Sequence, residues 1–350
     1  MPDGQATRPS VASTAILVGD AAYWLSLFII ASCILVIDLN TNAKDYADID
    51  TYLIYLSQLV NFPDNNWYYF EAFSNFYLLF IHWLVRSVDE SIEFAHYLLG
   101  IIFFSLLVIA LPPKQSSWKS LLFVFAMFGP LLAFVTLRAT PSYFLVAVGV
   151  QCAMRRSPKT WIYLSAAFFF HASALLAAGP IMFLYFRDSL PTVFRAERPV
   201  RLFVIATVLL VVVGIIAPQI TKNAITLFES VPVLSKYIAY TDQGSSINES
   251  TSLSHYIFFV FVSGFTLLFL VFPVGNNRHL NEYVLISYVL YAALFVGISP
   301  VAAVRQAPFW LIPMIASYPW QRVWITETMT PLFLLVCGGL CYFQFGQVYL

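Results

Sequence analysis

Apolar runs long enough to cross a membrane recur along the chain, separated by short polar stretches. The clearest lie near 21–39, 92–111, 119–137, 201–221, 254–273, 281–299 and 328–346, with shorter ones near 140–154 and 306–320. A helix needs about 20 apolar residues to cross the hydrocarbon of a bilayer. Only elements that satisfy their own backbone hydrogen bonds are stable there. The pattern therefore predicts a bundle of transmembrane helices. Residues 1–20 read as a polar tail, and the run after Ala21 as an uncleaved first span. Ile30-Ala31-Ser32-Cys33 has the look of a lipoprotein cleavage box, but the only upstream basic residue is the distant Arg8, and Ile34 to Ile37 prolong the apolar run.

Two stretches are ambiguous on pattern alone. Residues 70–85 either span or dip in and return. Residues 160–186 are one long helix or two half-helices with a turn at Phe170-His171-Ala172-Ser173. Charge separates the readings. If both stretches cross, Lys and Arg divide evenly between the two faces. If neither crosses and the N-terminus is cytoplasmic, the inner face holds Arg8, Lys114, Lys119, Arg155, Arg156, Lys159, Arg187, Arg195, Arg198, Arg201, Arg278 and Arg322. The outer face then holds only Lys44, Arg86, Arg138, Lys222, Lys236 and Arg305. That bias is the one membrane proteins show. The expected architecture is an all-α polytopic membrane protein, a single transmembrane domain over 1–350 with about 9–11 transmembrane helices, two of the elements being re-entrant, near 70–85 and 160–186. Because non-helical backbone inside a bilayer must line protein or a wet cavity, the re-entrant elements predict a cavity open to the outer face.

Composition agrees with the pattern. Of 350 residues, 60% are apolar, 17% aromatic and only 10% charged, where a soluble domain carries about 25% charged. Mean hydropathy is +0.78. This much apolar surface excludes one compact water-soluble domain. Eighteen basic and eighteen acidic residues cancel, so no basic face points to nucleic acid. Cys33, Cys152, Cys337 and Cys341 sit in apolar stretches without a CxxC pair and read as small fillers.

The outer loops, about 40–70 and 222–253, combine aromatic, amide and acidic residues. The first holds Asp45, Asp48, Asp50, Tyr52, Asp64 and Asn65-Asn66-Trp67-Tyr68-Tyr69; the second holds Tyr237, Tyr240, Asp242 and Glu249. Aromatic faces stack on sugars and carboxylates bond their hydroxyls, so Asp50, Tyr52, Tyr237 and Tyr240 are candidate sugar contacts. An interfacial aromatic belt explains the same composition. Asp48-Ile49-Asp50 matches a DxD metal motif, but on the outer side, where nucleotide sugars are scarce; no metal is expected. HExxH, a Gly-rich phosphate loop and GxSxG are all absent. Arg138 ends a span at the outer boundary, Arg305 sits at the same depth, and Arg86 follows the first ambiguous stretch. A guanidinium at the edge of hydrocarbon needs an anion, and its forked donors suit phosphate. The competing roles are snorkelling and ordinary ion pairing. His171 falls at the predicted turn, as a proton acceptor, a ligand of sugar or phosphate, or a hydrogen bond that pins the turn. Glu71 opens the first ambiguous stretch, where an acid also suits the helix dipole.

These residues occur in an order that resembles a known family. Asp48-x-x-Thr51-Tyr52 is followed by Glu71-Ala72-Phe73, then Arg138 before a short span ending in Arg155-Arg156, then Phe170-His171-Ala172-Ser173-Ala174-Leu175, then Arg305 before Leu311-Ile312-Pro313. The order is similar to that of the EpsG-like group of Wzy-type polysaccharide polymerases, over about residues 45–315. Ala72 stands where the family usually has Pro, and Ala139 where it often has Gln. The resemblance implies a GT-C-like helical fold in the bacterial plasma membrane. It implies a glycosyltransferase without cofactor that moves a growing glycan from undecaprenyl diphosphate onto a lipid-linked repeat unit at the outer face. Flippase and chain-length regulator of the same pathway are the implied partners. In that scheme Asp48 or Glu71 takes the acceptor proton, Arg138 and Arg305 with Arg86 hold the diphosphate, and His171 supports the leaving group or positions a sugar. A flippase or transporter of lipid-linked sugars, an O-antigen ligase and a membrane acyltransferase are the rival readings; a transporter would want inverted repeats, which the sequence does not display.

Overall fold

The computed structural model describes residues 11–42, 45–46, 48–61, 71–113, 116–187, 203–208, 253–271, 278–318, 320 and 329–348. The expected span at 201–221 lies largely outside them, as do most of the loop 222–253, with Tyr237 and Tyr240, and residues 62–70 of the first loop.

Regular structure among the described residues is entirely helical. In chain order the helices are α1 (Val11–Asn40), α2 (Ile49–Asn61), α3 (Ala72–Val85), α4 (Val88–Ala110), α5 (Trp118–Phe134), α6 (Ala139–Met154), α7 (Lys159–Phe170), α8 (Leu175–Phe186), α9 (Leu253–Val271), α10 (Arg278–Gly297), α11 (Pro300–Gln306), α12 (Pro308–Ala316) and α13 (Thr330–Val348). Among the described residues, four helical segments are long and apolar enough to cross a membrane: Asp20–Asn40, Val88–Ala110, Leu253–Val271 and His279–Gly297. The runs near 119–137, 140–154 and 328–346 form α5, α6 and α13, with the shorter apolar stretches Trp118–Phe134, Ala139–Met154 and Thr330–Gly346. This is an all-α fold compatible with a membrane protein.

α5 and α12 are buried on nearly every face, as befits helices that are apolar all round. The outer helices turn large apolar side chains outward, among them Phe28, Leu35, Phe76, Trp83, Val260 and Leu335. An exposed apolar surface of this extent needs an apolar solvent. Helix starts follow local chemistry. Ser87 accepts from the Glu90 amide at the head of α4, with Asp89 and Glu90 in the first turn. Ser117 accepts from the Lys119 amide before α5. Pro300 and Pro308 open α11 and α12, where the missing N–H costs nothing.

α1 and α4 cross closely and antiparallel. The Tyr23 hydroxyl donates to the Leu111 carbonyl, and Asp38 lies beside Gly100. A Cβ on Gly100 would stand 2.7 Å from Ile34 Cγ2 and 3.0 Å from Asp38 Oδ2. Gln151 of α6 donates to the Ala110 carbonyl at 2.7 Å, so the end of α4 and the end of α6 share one face of the bundle. Arg155, Arg156 and Lys159 follow at that face.

α7 and α8 fold back on one another. Trp161, near the start of α7, meets Tyr185 and Phe186 at the end of α8, with ring centroids 5.2 and 6.0 Å apart. His171 and the short 3-10 turn Ala172–Ala174 form the tip. The base is tied to α10 by a buried pair, in which Arg187 donates twice to Glu282, once at 2.9 Å. The turn expected at 170–173 is thus present. Residues 72–85, by contrast, form one unbroken helix, with no turn inside them.

Candidate functional site

Glu71 immediately precedes α3, with φ 58° and ψ 38°. That left-handed conformation costs a side-chain-bearing residue about 1–2 kcal/mol. It is held by what the carboxylate touches. Oε2 accepts from Arg138 Nη1 at 2.8 Å. Oε1 lies 2.8 Å from His171 Nδ1 and accepts from the Ala172 amide at 3.2 Å. Three separate segments meet at one carboxylate that is only 2% exposed, while Arg138 and His171 each keep 23%.

The Arg138 guanidinium at 2.8 Å favours the ionised form of Glu71, and a carboxylate acts as an acceptor only. Nδ1 of His171 then carries a proton, and Nε2 is the ring nitrogen turned away from Glu71. A second acceptor fixing the tautomer of a histidine is the arrangement that prepares the other nitrogen for chemistry.

Arg138 is set by the elbow between α5 and α6. Val135 and Thr136 both donate their amides to the Leu131 carbonyl at 3.0 Å, closing α5. The Thr140 hydroxyl donates to the Leu132 carbonyl at 2.7 Å and meets the Thr136 hydroxyl at 2.9 Å. Pro141 occupies the first turn of α6, where no intrahelical donor is needed. The guanidinium lies over the Tyr55 ring at 4.4 Å and the Tyr52 ring at 5.6 Å, a cation–π sandwich of the kind arginine favours. Its Nε is buried without a hydrogen-bond partner among the described residues.

The α7–α8 tip is held from α3. Ser74 donates to the Phe170 carbonyl at 2.6 Å, and Phe73 packs against Phe169 and Phe170 at 5.4 and 5.5 Å. Neither Gly nor Pro lies between Phe168 and Ser173. The break in the helix is therefore imposed by these tertiary contacts and not by a local breaker.

Of the residues singled out in the sequence, Glu71, Arg138, His171 and Tyr52 come together. Tyr52, expected to meet sugar, is buried and spends its ring on Arg138 and on His96, 5.8 Å away edge-on. Asp48 and Asp50 are exposed at the head of α2, Asp48 with φ 67°. Arg305 is exposed on α11, and its carbonyl accepts from the Tyr143 hydroxyl at 2.8 Å, which ties it to α6 five residues beyond Arg138. Arg86 stands apart. It follows the far end of α3, with φ 69° and its guanidinium near Trp83. Fourteen helical residues at 1.5 Å each separate it from Glu71 by about 21 Å, so the expected gathering of three guanidinium groups is not what the fold builds.

Sequence reasoning missed Tyr55, Ser74, Asn75 and His96. Tyr55 lies three residues after Tyr52, and Ser74 three after Glu71, the spacing that shares a helix face. Tyr55 donates its hydroxyl to Asn75 Oδ1, joining α2 to α3. His96 is fully buried, bonded through Nδ1 to the Ile92 carbonyl at 2.9 Å and stacked on Tyr46. Among the described residues no three of His, Cys, Asp and Glu gather as a metal-binding set. Comparison with protein-family models, curated proteins and solved structures finds no match to this chain.

Proposed function

We propose that this chain is a membrane glycosyltransferase of the Wzy type, a polysaccharide polymerase with a GT-C-like arrangement. It would transfer a growing glycan from undecaprenyl diphosphate to a lipid-linked repeat unit at the outer face of a bacterial plasma membrane. The observation that carries the reading is the convergence of Glu71, Arg138 and His171, from three separate segments, on one partly accessible spot inside an apolar helical bundle. A buried ion pair bonded to an imidazole is costly in such surroundings, and such groups inside membranes mark functional sites by default.

The α7–α8 hairpin supports the reading as a re-entrant element. Each limb has 12 residues, about 18 Å, against about 30 Å of hydrocarbon. Its base is flanked by Arg155, Arg156, Lys159 and Arg187, a cluster that supports a cytoplasmic base, and with it a cytoplasmic N-terminus, under the positive-inside rule. The tip then brings His171 up to Arg138 from below.

The geometry redistributes the expected roles. Glu71 already accepts three donors, so it orients rather than takes up a proton. His171 Nε2 is the proton acceptor. The acceptor hydroxyl oxygen attacks the anomeric carbon of the donor glycan and its proton passes to Nε2. The bond from that carbon to the diphosphate oxygen breaks, and the lipid diphosphate departs with the electron pair. Arg138 and Arg305 balance the charge that develops on it, each charge-assisted contact contributing about 1.5–3 kcal/mol. Arg86, at the other end of α3, takes no part.

Purified protein reconstituted with lipid-linked repeat units and nothing else is expected to produce a ladder of glycan lengths. Arg138→Ala is expected to insert and leave single repeats. Absence of a ladder from the unaltered protein, or translocation of the repeats without elongation, would reject the polymerase reading.

A further inference from the structure

We infer that Ser74 is a positioning residue for His171, and that Glu71-x-x-Ser74 acts as one clamp on Phe170-His171-Ala172; the functional weight of this rests on the reading of His171 as the proton acceptor. α7 stops at Phe170, and a helix end leaves carbonyls without intrahelical partners. The His171 amide returns to Ala167 at 2.9 Å, while the Ala174 amide is drawn to the His171 carbonyl at 3.0 Å. The Phe170 carbonyl receives the Ser74 hydroxyl at 2.6 Å. On the other side of the break, the Ala172 amide donates to Glu71 Oε1. One turn of α3 therefore satisfies a carbonyl of the helix that ends and an amide of the turn that begins. Residue His171 lies between the two grips. In apolar surroundings neither backbone group has water to turn to, so both grips are needed to hold the tip open.

Ser74 is 2% exposed and meets the tip through the Phe170 carbonyl. Its effect passes through the backbone of residue 170 to the imidazole. Without the hydroxyl the Phe170 carbonyl seeks another donor, and the imidazole loses the register in which Nδ1 faces Glu71. Misplacement of a reacting group by about 1 Å costs on the order of a hundredfold in rate.

The test uses the full chain in lipid nanodiscs, with histidine labelled with nitrogen-15 and the His171 signal assigned by its loss in His171→Gln. The unaltered protein is expected to show the tautomer protonated at Nδ1. Ser74→Ala is expected to give a mixture of tautomers and, with lipid-linked repeats, a kcat lower by on the order of tenfold to a hundredfold at unchanged KM. Ser74→Thr, which keeps the hydroxyl, is expected to restore both. Should Ser74→Ala fail to fold, Ser74→Cys, a weaker donor of similar size, is expected to give a partial shift of tautomer. A pure Nδ1-protonated signal in Ser74→Ala or Ser74→Cys overturns the proposal, and so does equal loss in Ser74→Thr. If the tautomer shifts as expected but the unaltered protein makes no polymer, the clamp stands and the polymerase reading fails.

Discussion

Replacing Glu71 by Gln removes one charge and leaves the volume almost unchanged. In the native site Glu71 faces Arg138 at 2.8 Å on one oxygen and His171 at 2.8 Å on the other. With about 4 Å between charge centres and an effective dielectric of about 20, Coulomb's law gives about 4 kcal/mol for the Arg138 pair. Removing one member of a buried pair typically costs about 3–5 kcal/mol, because the remaining charge is stranded. Arg138 keeps some access to solvent and its stack on Tyr55, so the lower end of that range applies to Glu71→Gln. Arg138→Leu strands the carboxylate instead, which is almost fully buried and costs more to leave unpaired. The double variant strands neither charge. A double-mutant cycle should therefore return a coupling of about 3–4 kcal/mol, with Arg138→Leu the more destabilising single change. The measurement is reversible unfolding in mixed detergent micelles, followed by loss of helical circular dichroism. A coupling below about 1 kcal/mol, the range of exposed pairs, would show that the trio is solvated and would remove the basis for the buried site.

Three further outcomes follow from other parts of the molecule. Arg305→Ala should abolish polymer without loss of fold, since the Arg305 carbonyl that Tyr143 grips is kept by the substitution; glycan of normal length from reconstituted Arg305→Ala would refute its contact with diphosphate. Gly100→Ala should destabilise by about 1–3 kcal/mol through overpacking against Ile34 and Asp38, and an unchanged unfolding midpoint would mean that α1 and α4 cross less closely. Arg187→Met should cost about 3–5 kcal/mol by stranding Glu282, and Arg187→Met with Glu282→Leu should recover most of it; a double variant as unstable as the single would show that the pair is not what joins α8 to α10.

Much of the fold was legible because apolar runs and charge bias are large, additive signals. The turn at Phe170-His171-Ala172-Ser173 was legible as one of two readings of a long apolar run, the other being a single continuous helix. Arg138 could be singled out because a charge at the edge of hydrocarbon needs a partner, and Glu71 because it opens an apolar helix. Their partnership with one another could not be read, because it depends on how α3 sits against α6 and α7, a long-range fact. The same holds for Tyr55 and Ser74, which look like unremarkable helix residues until the facing segment is known. Arg86 was grouped with the other arginines because it follows the first ambiguous stretch on the expected outer side, and that side does not distinguish the two ends of a short helix whose course is unknown.

The twelve-residue limbs of the folded-back pair α7–α8 carry a consequence for biogenesis. Each is too short to be stitched into a bilayer by its own hydrophobicity. On the proposed placement the pair must slot in late, after α3 and α6 stand ready to receive it. A lesion at Glu71 or Ser74 would then show itself during synthesis, as a 155–187 segment left dangling at the cytoplasmic surface. There a cysteine placed at Ser173 would be labelled by a membrane-impermeant maleimide applied to inside-out vesicles, whereas in the mature protein it would be shielded.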